Sequence, residues 1–234
     1  MSEVLGVVQA RMSSSRLPGK VLEPILGQPM ILRQLERLTR CTSLSGIVIA
    51  TSTDRQDDQL ASVVQDAGWT VIRGPQDDVL ARFVTVVEEQ SAVAVARLTA
   101  DCPLISPTVV DQVVRTYVSA NVDYVSNTLE PTYPDGLDVE VVRTEALVRI
   151  AAESTDPHER EHVTNVFYKN SERFKICNLP APNCAGDAKE MSFAIDTEDD
   201  IRRFKKILQL MVENHTRYTG SKLYGLYREI NTND

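Results

Sequence analysis

Four short apolar runs in the first hundred residues, separated by helix-like stretches, constrain this chain more than any other feature. Residues 4–10, 46–51, 69–72 and 93–98 are strand-length and almost wholly apolar. Such runs suit strands buried on both faces. A helix is expected from about Gln28-Pro29, with Pro29 at the first helical position and Ile31, Leu32, Leu35 and Leu38 on one face. Further helices are expected over 57–67, closed by Gly68, and over 78–89. Strand and helix alternating in this way predict a parallel sheet with helices on both sides. Ligands of such sheets bind beyond the carboxyl ends of the strands. That rule selects three loops, 11–20, 51–54 and 99–103, distant in sequence and expected to converge.

Beyond residue 104 the pattern changes. A helix is expected from Ser106-Pro107 to about 119, and strands over 124–126 and 137–142. Helices over 145–153 and 157–169 follow, then strands over 174–177 and 192–195, then an amphipathic helix over 198–213. This mixed half reads as an antiparallel extension of one sheet. With 234 residues, 42% apolar content and no internal repeat, a single domain over 1–234 is expected.

The net charge of −8 argues against a broad nucleic-acid surface. A small phosphate ligand needs only a local cluster of cations, so the position of the positive charges matters more than their sum. The first residues do not resemble a secretory signal, and no apolar run has membrane-spanning length. A cytoplasmic protein is therefore expected. Cys41, Cys102, Cys177 and Cys184 form no C-x-x-C pair and read as reduced packing thiols.

Gln9-Ala10-Arg11-Met12-Ser13-Ser14-Ser15-Arg16-Leu17-Pro18-Gly19-Lys20 is the most informative stretch. It puts Arg11, Arg16 and Lys20 in one loop after a strand. Small residues such as Ser13 and Ser14 let backbone N–H groups approach a ligand. Pro18-Gly19 sets a turn that brings Lys20 back toward the arginines. Arginine forks and a lysine point charge suit phosphate oxygens. A solvated basic loop is the competing reading. The G-x-x-x-x-G-K-[ST] phosphate loop is absent.

Acidic positions follow the same geography. Asp101 stands just after a buried strand, as metal ligand or as capping residue. Asp196 also follows an apolar run, while Glu198, Asp199 and Asp200 fit the first turn of a helix. Asp138 and Glu140 are two apart in a strand and share a face. They could hold sugar hydroxyls, recruit a metal, act as a base, or simply face solvent. His158 and His162 are four apart and residues 158–162 read H-E-x-x-H, but no third zinc ligand is evident.

The 9–20 loop resembles the signature of cytidylyltransferases that make CMP-activated acidic sugars, most nearly the spore coat polysaccharide biosynthesis protein F group. The D-G-L-D-V-E string at 135–140 and the E-R-E-H-V-T run at 159–164 are similar to the same group. The resemblance implies a Rossmann-like three-layer α/β/α nucleotidyltransferase domain, GT-A-like, with a mostly parallel sheet and a small antiparallel extension. It implies that Arg11, Arg16 and Lys20 hold the triphosphate of CTP. It implies that Asp101 and Asp196 hold Mg2+. Asp138 or Glu140 would orient a sugar or sugar acid, with His162 near that site or a subunit contact. A homodimer is implied, with residues 127–190 as a dimerisation or sugar-binding extension. More distant relatives carry Gln two residues before the first metal aspartate, whereas this chain has Thr99, which lacks that reach. Base recognition is then expected to lean on backbone groups around Ala10, Ala50, Thr51 and Ser52. Two other readings stay open. A glycosyltransferase consuming a nucleotide-sugar usually carries a D-x-D string, which Ala100-Asp101-Cys102 is not. A non-catalytic nucleotide-binding protein would be marked by loss of the acids or the basic loop.

Overall fold

The computed structural model describes residues 4–181, 191–213 and 220–232. In chain order the elements open with β1 (Val4–Gln9), a small hairpin of β2 (Pro24–Ile25) and β3 (Gln28–Pro29), and α1 (Met30–Leu38). Then come β4 (Gly46–Ser52), α2 (Asp58–Asp66), β5 (Thr70–Gly74), α3 (Val79–Gln90), β6 (Ala94–Thr99) and α4 (Pro107–Ala120). The second half holds β7 (Tyr124–Ser126), β8 (Glu140–Arg143), α5 (Thr144–Glu153), α6 (Pro157–His162), α7 (Asn165–Lys169) and β9 (Ile176–Asn178). Helices α8 (Glu198–Glu213) and α9 (Gly220–Thr232) close it.

The main sheet has the order β5-β4-β1-β6-β8-β7-β9. Strands β5, β4, β1 and β6 run parallel. Strand β8 is antiparallel to both its neighbours, and β9 pairs in parallel with β7. The chain moves outward from β1 through β4 and β5, then returns to place β6 on the other side of β1. That reversal creates a crevice at the carboxyl ends of β1 and β6, where Gln9 pairs with Thr99.

Burial follows the strand alternation. Val4 and Val8 of β1 enter one apolar layer with Leu35 of α1, Val110 of α4 and Phe204 of α8. Leu5 and Val7 enter the opposite layer with Leu80 and Phe83 of α3 and Leu147 of α5. Both faces of the sheet are therefore sealed, and only its ends meet solvent. No helix of the described residues is long and apolar enough to cross a membrane.

Most departures from the expected elements have local causes. Pro29 is the N-cap of α1 rather than its first residue, because Gln28 and Pro29 are engaged with Pro24 and Ile25. The expected strand 137–142 contracts to β8, because the side chain of Asn127 replaces a ladder partner. Its Nδ2 donates to the Leu137 carbonyl at 2.9 Å, and its Oδ1 accepts from the Val139 N–H at 2.8 Å. The expected helix 157–169 breaks into α6 and α7 at Val163, whose φ is +48°. Val163 is 1% exposed, so apolar burial offsets a backbone conformation that costs a β-branched residue dearly. Residues 192–195 are not a ladder strand and make one isolated bridge, Asp135 to Ser192. Helix α9 was not anticipated from the sequence.

Candidate active site

A cavity of about 230 Å3 lies at the β1/β6 crevice, lined by Ala10, Arg11, Ser13, Ser14, Arg16, Lys20, Thr99, Asp101 and Asp196 among others. The basic loop is folded back on itself by one carbonyl. Met12 O accepts from the N–H of Ser14 at 3.0 Å and of Gly19 at 2.9 Å. Gly19 takes φ +77°, which the turn needs and other residues resist. Asp57 fixes the other end of the loop. Buried at 2% exposure, it accepts from Met12 N–H at 2.7 Å and from the backbone and hydroxyl of Ser52.

Lys20 is the centre of the site. Only 8% exposed, its ammonium lies 3.0 Å from Asp196 Oδ1 and 3.6 Å from Asp101 Oδ2, and it donates to the Ile195 carbonyl. Arg16 reaches the other oxygen of Asp196 at 2.9 Å. Arg11 sits 3.7 Å from Glu161 of α6, half-exposed at the cavity wall. Cations from the first loop thus meet two carboxylates separated from them, and from each other, by long stretches of chain.

Backbone hydrogen bonds bring Asp196 there. The Ile195 N–H donates to the Asp101 carbonyl at 2.8 Å, and the Phe193 N–H to the Asp135 carbonyl at 2.8 Å. Gly136 permits this approach. At φ +86°, an added Cβ would lie 2.4 Å from Ala194 N. Asp200 then caps the turn after Asp196, accepting from the Asp196 N–H at 3.1 Å and the Thr197 N–H at 2.9 Å. Burial works to raise its pKa, but the Thr197 hydroxyl, these N–H groups and Arg203 lower it.

A second cavity of about 490 Å3 adjoins the first and shares Thr99 with it. Arg97, Asp138, Glu140, His162, Thr164 and Tyr168 are among its walls. Glu140 is buried, ion-paired with Arg97 and hydrogen-bonded by the Tyr124 hydroxyl. The Asp138 carboxyl is pushed up to about 7, first by burial, then by Asp135, Glu140 and Asp101. His162 packs against His158, ring centres 4.3 Å apart, while His158 Nδ1 meets Asn165 Nδ2 at 2.8 Å. Among the described residues, no three or more His, Cys, Asp or Glu side chains gather as a metal site. Cys102 is buried beside Asp101; burial, then Asp101 and Asp138, push its thiol up, so it is no nucleophile.

Twelve of the candidate site residues line the first cavity, the second, or the wall they share. Three do not. Ala50, Thr51 and Ser52 are fully buried and line neither cavity. The Thr51 hydroxyl has no partner among the described residues, and Ser52 is spent on Asp57. The loop at 51–54 therefore braces the site rather than facing it. Sequence reasoning missed Asp57, which looked like a helix start, and Arg97, which looked like a strand residue. Thr128, Leu129 and Tyr168 carried no local signal at all. Cys184 and residues 182–190 of the expected 127–190 extension lie outside the described residues, as do residues 1–3.

Comparison with known proteins completes the picture. Residues 5–223 match the family model described as Cytidylyltransferase. The chain belongs to the cytidylyltransferase family. It is 33% identical over 215 residues to the spore coat polysaccharide biosynthesis protein SpsF of Bacillus subtilis, covering 89% of this chain and 88% of that one. It is 27% identical over 178 residues to 3-deoxy-manno-octulosonate cytidylyltransferase 2 of Hydrogenovibrio crunogenus, covering 70% of each. The solved cytidylyltransferase from Leptospira borgpetersenii superposes with a TM-score of 0.89 at 25% identity, over 99% of this chain and 96% of that one.

Proposed function

We propose that this cytidylyltransferase moves CMP from CTP to a hydroxyl of a sugar or sugar acid and releases pyrophosphate, with magnesium as its metal. The observation that carries the reading is the meeting of Lys20 and Arg16 with Asp101 and Asp196 in one phosphate-sized cleft. The adjoining larger cavity supports a second substrate within reach.

The residues present fit magnesium. Asp101 and Asp196 are partly exposed, both face one cavity, and this metal needs only one or two carboxylates when phosphate oxygens and water complete its shell. Bound there, it would supply Lewis-acid neutralisation of the phosphates. The reaction forms a bond from the acceptor oxygen to the α-phosphorus and breaks the bond to the β-phosphate oxygen. Arg16 and Lys20 would offset charge on the departing pyrophosphate, and Arg11 would hold the α- or β-phosphate. Backbone N–H groups at Ser13 and Ser14 would approach the same oxygens. Asp138 would orient the acceptor hydroxyl and take its proton, a task its elevated pKa suits near neutrality. Glu140 and His162 would bound the acceptor site. Thr99 and the Ala10 backbone would touch the nucleoside side.

SpsF, by its name, serves spore coat polysaccharide synthesis, which supports a role in polysaccharide supply. A homodimer in the cytoplasm completes the reading, and light scattering on the purified chain tests the dimer. The function itself is tested by offering the four nucleoside triphosphates with an acceptor panel and reading pyrophosphate. CTP should lead by at least about tenfold; a preference for UTP or GTP would refute the reading.

A further inference from the structure

Helix α9 lies outside the sheet, yet its aromatic side chains grip the segment that delivers Asp196. The Tyr227 hydroxyl accepts from the Ser192 N–H at 3.5 Å, and the Tyr227 ring meets Phe193 edge-on, centres 5.2 Å apart. Tyr224 stacks on the same phenylalanine, centres 6.3 Å apart. Phe193 is 2% exposed and shares an apolar layer with Leu223 and Ile230 of α9. Aromatic contacts of this geometry fix direction as well as bury area. The extended backbone just before Asp196 is therefore held from the α9 side as well as by the carbonyls of Asp101 and Asp135.

Arg203 of α8 links this clamp to the carboxylate. Its guanidinium lies over the Tyr227 ring, 5.4 Å from the centre, and ion-pairs with Asp200 Oδ1. A guanidinium can do both, because it stacks through its face and donates through its edge. With Oδ1 engaged, Asp200 turns Oδ2 to the N–H groups of Asp196 and Thr197, at 3.1 and 2.9 Å, and to the Thr197 hydroxyl at 2.8 Å. Contacts thus run from Tyr227 through Arg203 and Asp200 to the backbone of Asp196, whose carboxylate meets Arg16 and Lys20. Arg203 itself lines neither cavity. Arg202 supplies the contrast. It pairs with Asp199 at the same i,i+3 spacing, but those two side chains are 66% and 77% exposed, against 23% and 16% for Arg203 and Asp200. Exposed pairs contribute little, whereas removing one partner of a sheltered pair strands the other.

We propose that Arg203 is a positioning residue for magnesium and CTP: braced by Tyr227 of α9, it fixes Asp200 and so aims the Asp196 carboxylate into the cleft, a role that rests on the reading of Asp101 and Asp196 as metal ligands. It gives α9 a task in the reaction although no residue of that helix lines either cavity among the described residues.

The test measures binding by the full chain, without an acceptor. CTP is titrated calorimetrically in magnesium and again in EDTA, and the ratio of the two affinities gives the gain due to the metal. Groups that orient a metal ligand typically change metal affinity by about tenfold to a hundredfold when removed, so Arg203→Gln is expected to cut that gain by at least about tenfold. Its affinity for CTP in EDTA should stay close to wild type, because Arg11, Arg16 and Lys20 remain. Arg203→Lys keeps a donor for Asp200 and is expected to recover most of the loss. Tyr227→Leu removes the brace and should lower the gain severalfold, while Arg202→Gln should leave it unchanged. A merely structural role would lower the melting temperature and both affinities together with the gain intact, and that result overturns the proposal. So does an equal loss in Arg202→Gln. Should Arg203→Gln fail to fold, an undiminished gain in Tyr227→Leu overturns it instead. Wild type separates the two readings. No gain from magnesium in wild type sinks the metal reading and this inference with it, whereas a wild-type gain retained in Arg203→Gln sinks the positioning role alone.

Discussion

Lys20 is held where a lysine is most effective, its ammonium between Asp101 and Asp196 and nearly withdrawn from water. Charge stabilisation by preorganised groups is worth about a hundredfold to a thousandfold in rate per contact. Lys20→Ala and Asp101→Asn are each expected to lower kcat/KM by at least about a hundredfold in pyrophosphate release; near-wild-type turnover in Asp101→Asn would contradict the metal-ligand role proposed for that carboxylate. Asp138 yields a pH prediction. Its carboxyl is raised to about 7 in the folded chain, against about 4 when unfolded. The folded state therefore binds more protons between those values, and stability falls as pH rises through that window. The melting temperature of Asp138→Asn should exceed that of wild type by a margin that opens from about pH 4 to about pH 7 and then levels. The wild-type rate should rise through about pH 7, and that limb should vanish in the variant. A margin that is flat with pH would contradict the role given to this carboxyl. Residue-level legibility was uneven for a physical reason. Arg16, Lys20 and Asp101 announce themselves because charged groups directly after buried strands must emerge at the sheet edge. Arg97 lies within a strand, and its importance depends on Glu140 more than forty residues away.

The elements show why the site assembles. Strands β1 and β6 were readable from apolar runs, interrupted in β6 by Arg97, and their parallel pairing follows from the intervening helices. The segment at 192–195 was misread as a ladder strand, because its extended backbone is held by carbonyls of Asp101 and Asp135 that no periodicity reveals. Gly136 is the pivot of that contact. Gly136→Ala demands both a positive φ and space already filled by Ala194. It is expected to destabilise the fold by more than about 1 kcal/mol and to weaken CTP binding by moving Asp196. Thermal melts with and without CTP check it; unchanged binding and melting would mean that the 191–196 segment does not position the carboxylate. The break at Val163 escaped sequence reading for a related reason. Its positive φ is repaid by tertiary burial, and an amphipathic pattern running through 157–169 contains no hint of that.

Over the whole molecule, the order β5-β4-β1-β6 places the basic loop and the first aspartate on the two sides of one crevice. The returning C-terminal segment then supplies the second aspartate from outside the sheet. Fold class and the ligand-bearing edge follow from the strand–helix alternation alone, whereas closure of the site depends on contacts spanning about three-quarters of the chain, such as Lys20 to Asp196. The central claim is that these groups form one nucleotide site. Calorimetric titration of CTP with magnesium into wild type, Lys20→Ala and Asp196→Asn tests it without knowledge of the acceptor. Wild type should bind CTP, and each variant should lose at least about tenfold in affinity, at least about 1.4 kcal/mol. Undiminished CTP binding in both variants would contradict the account.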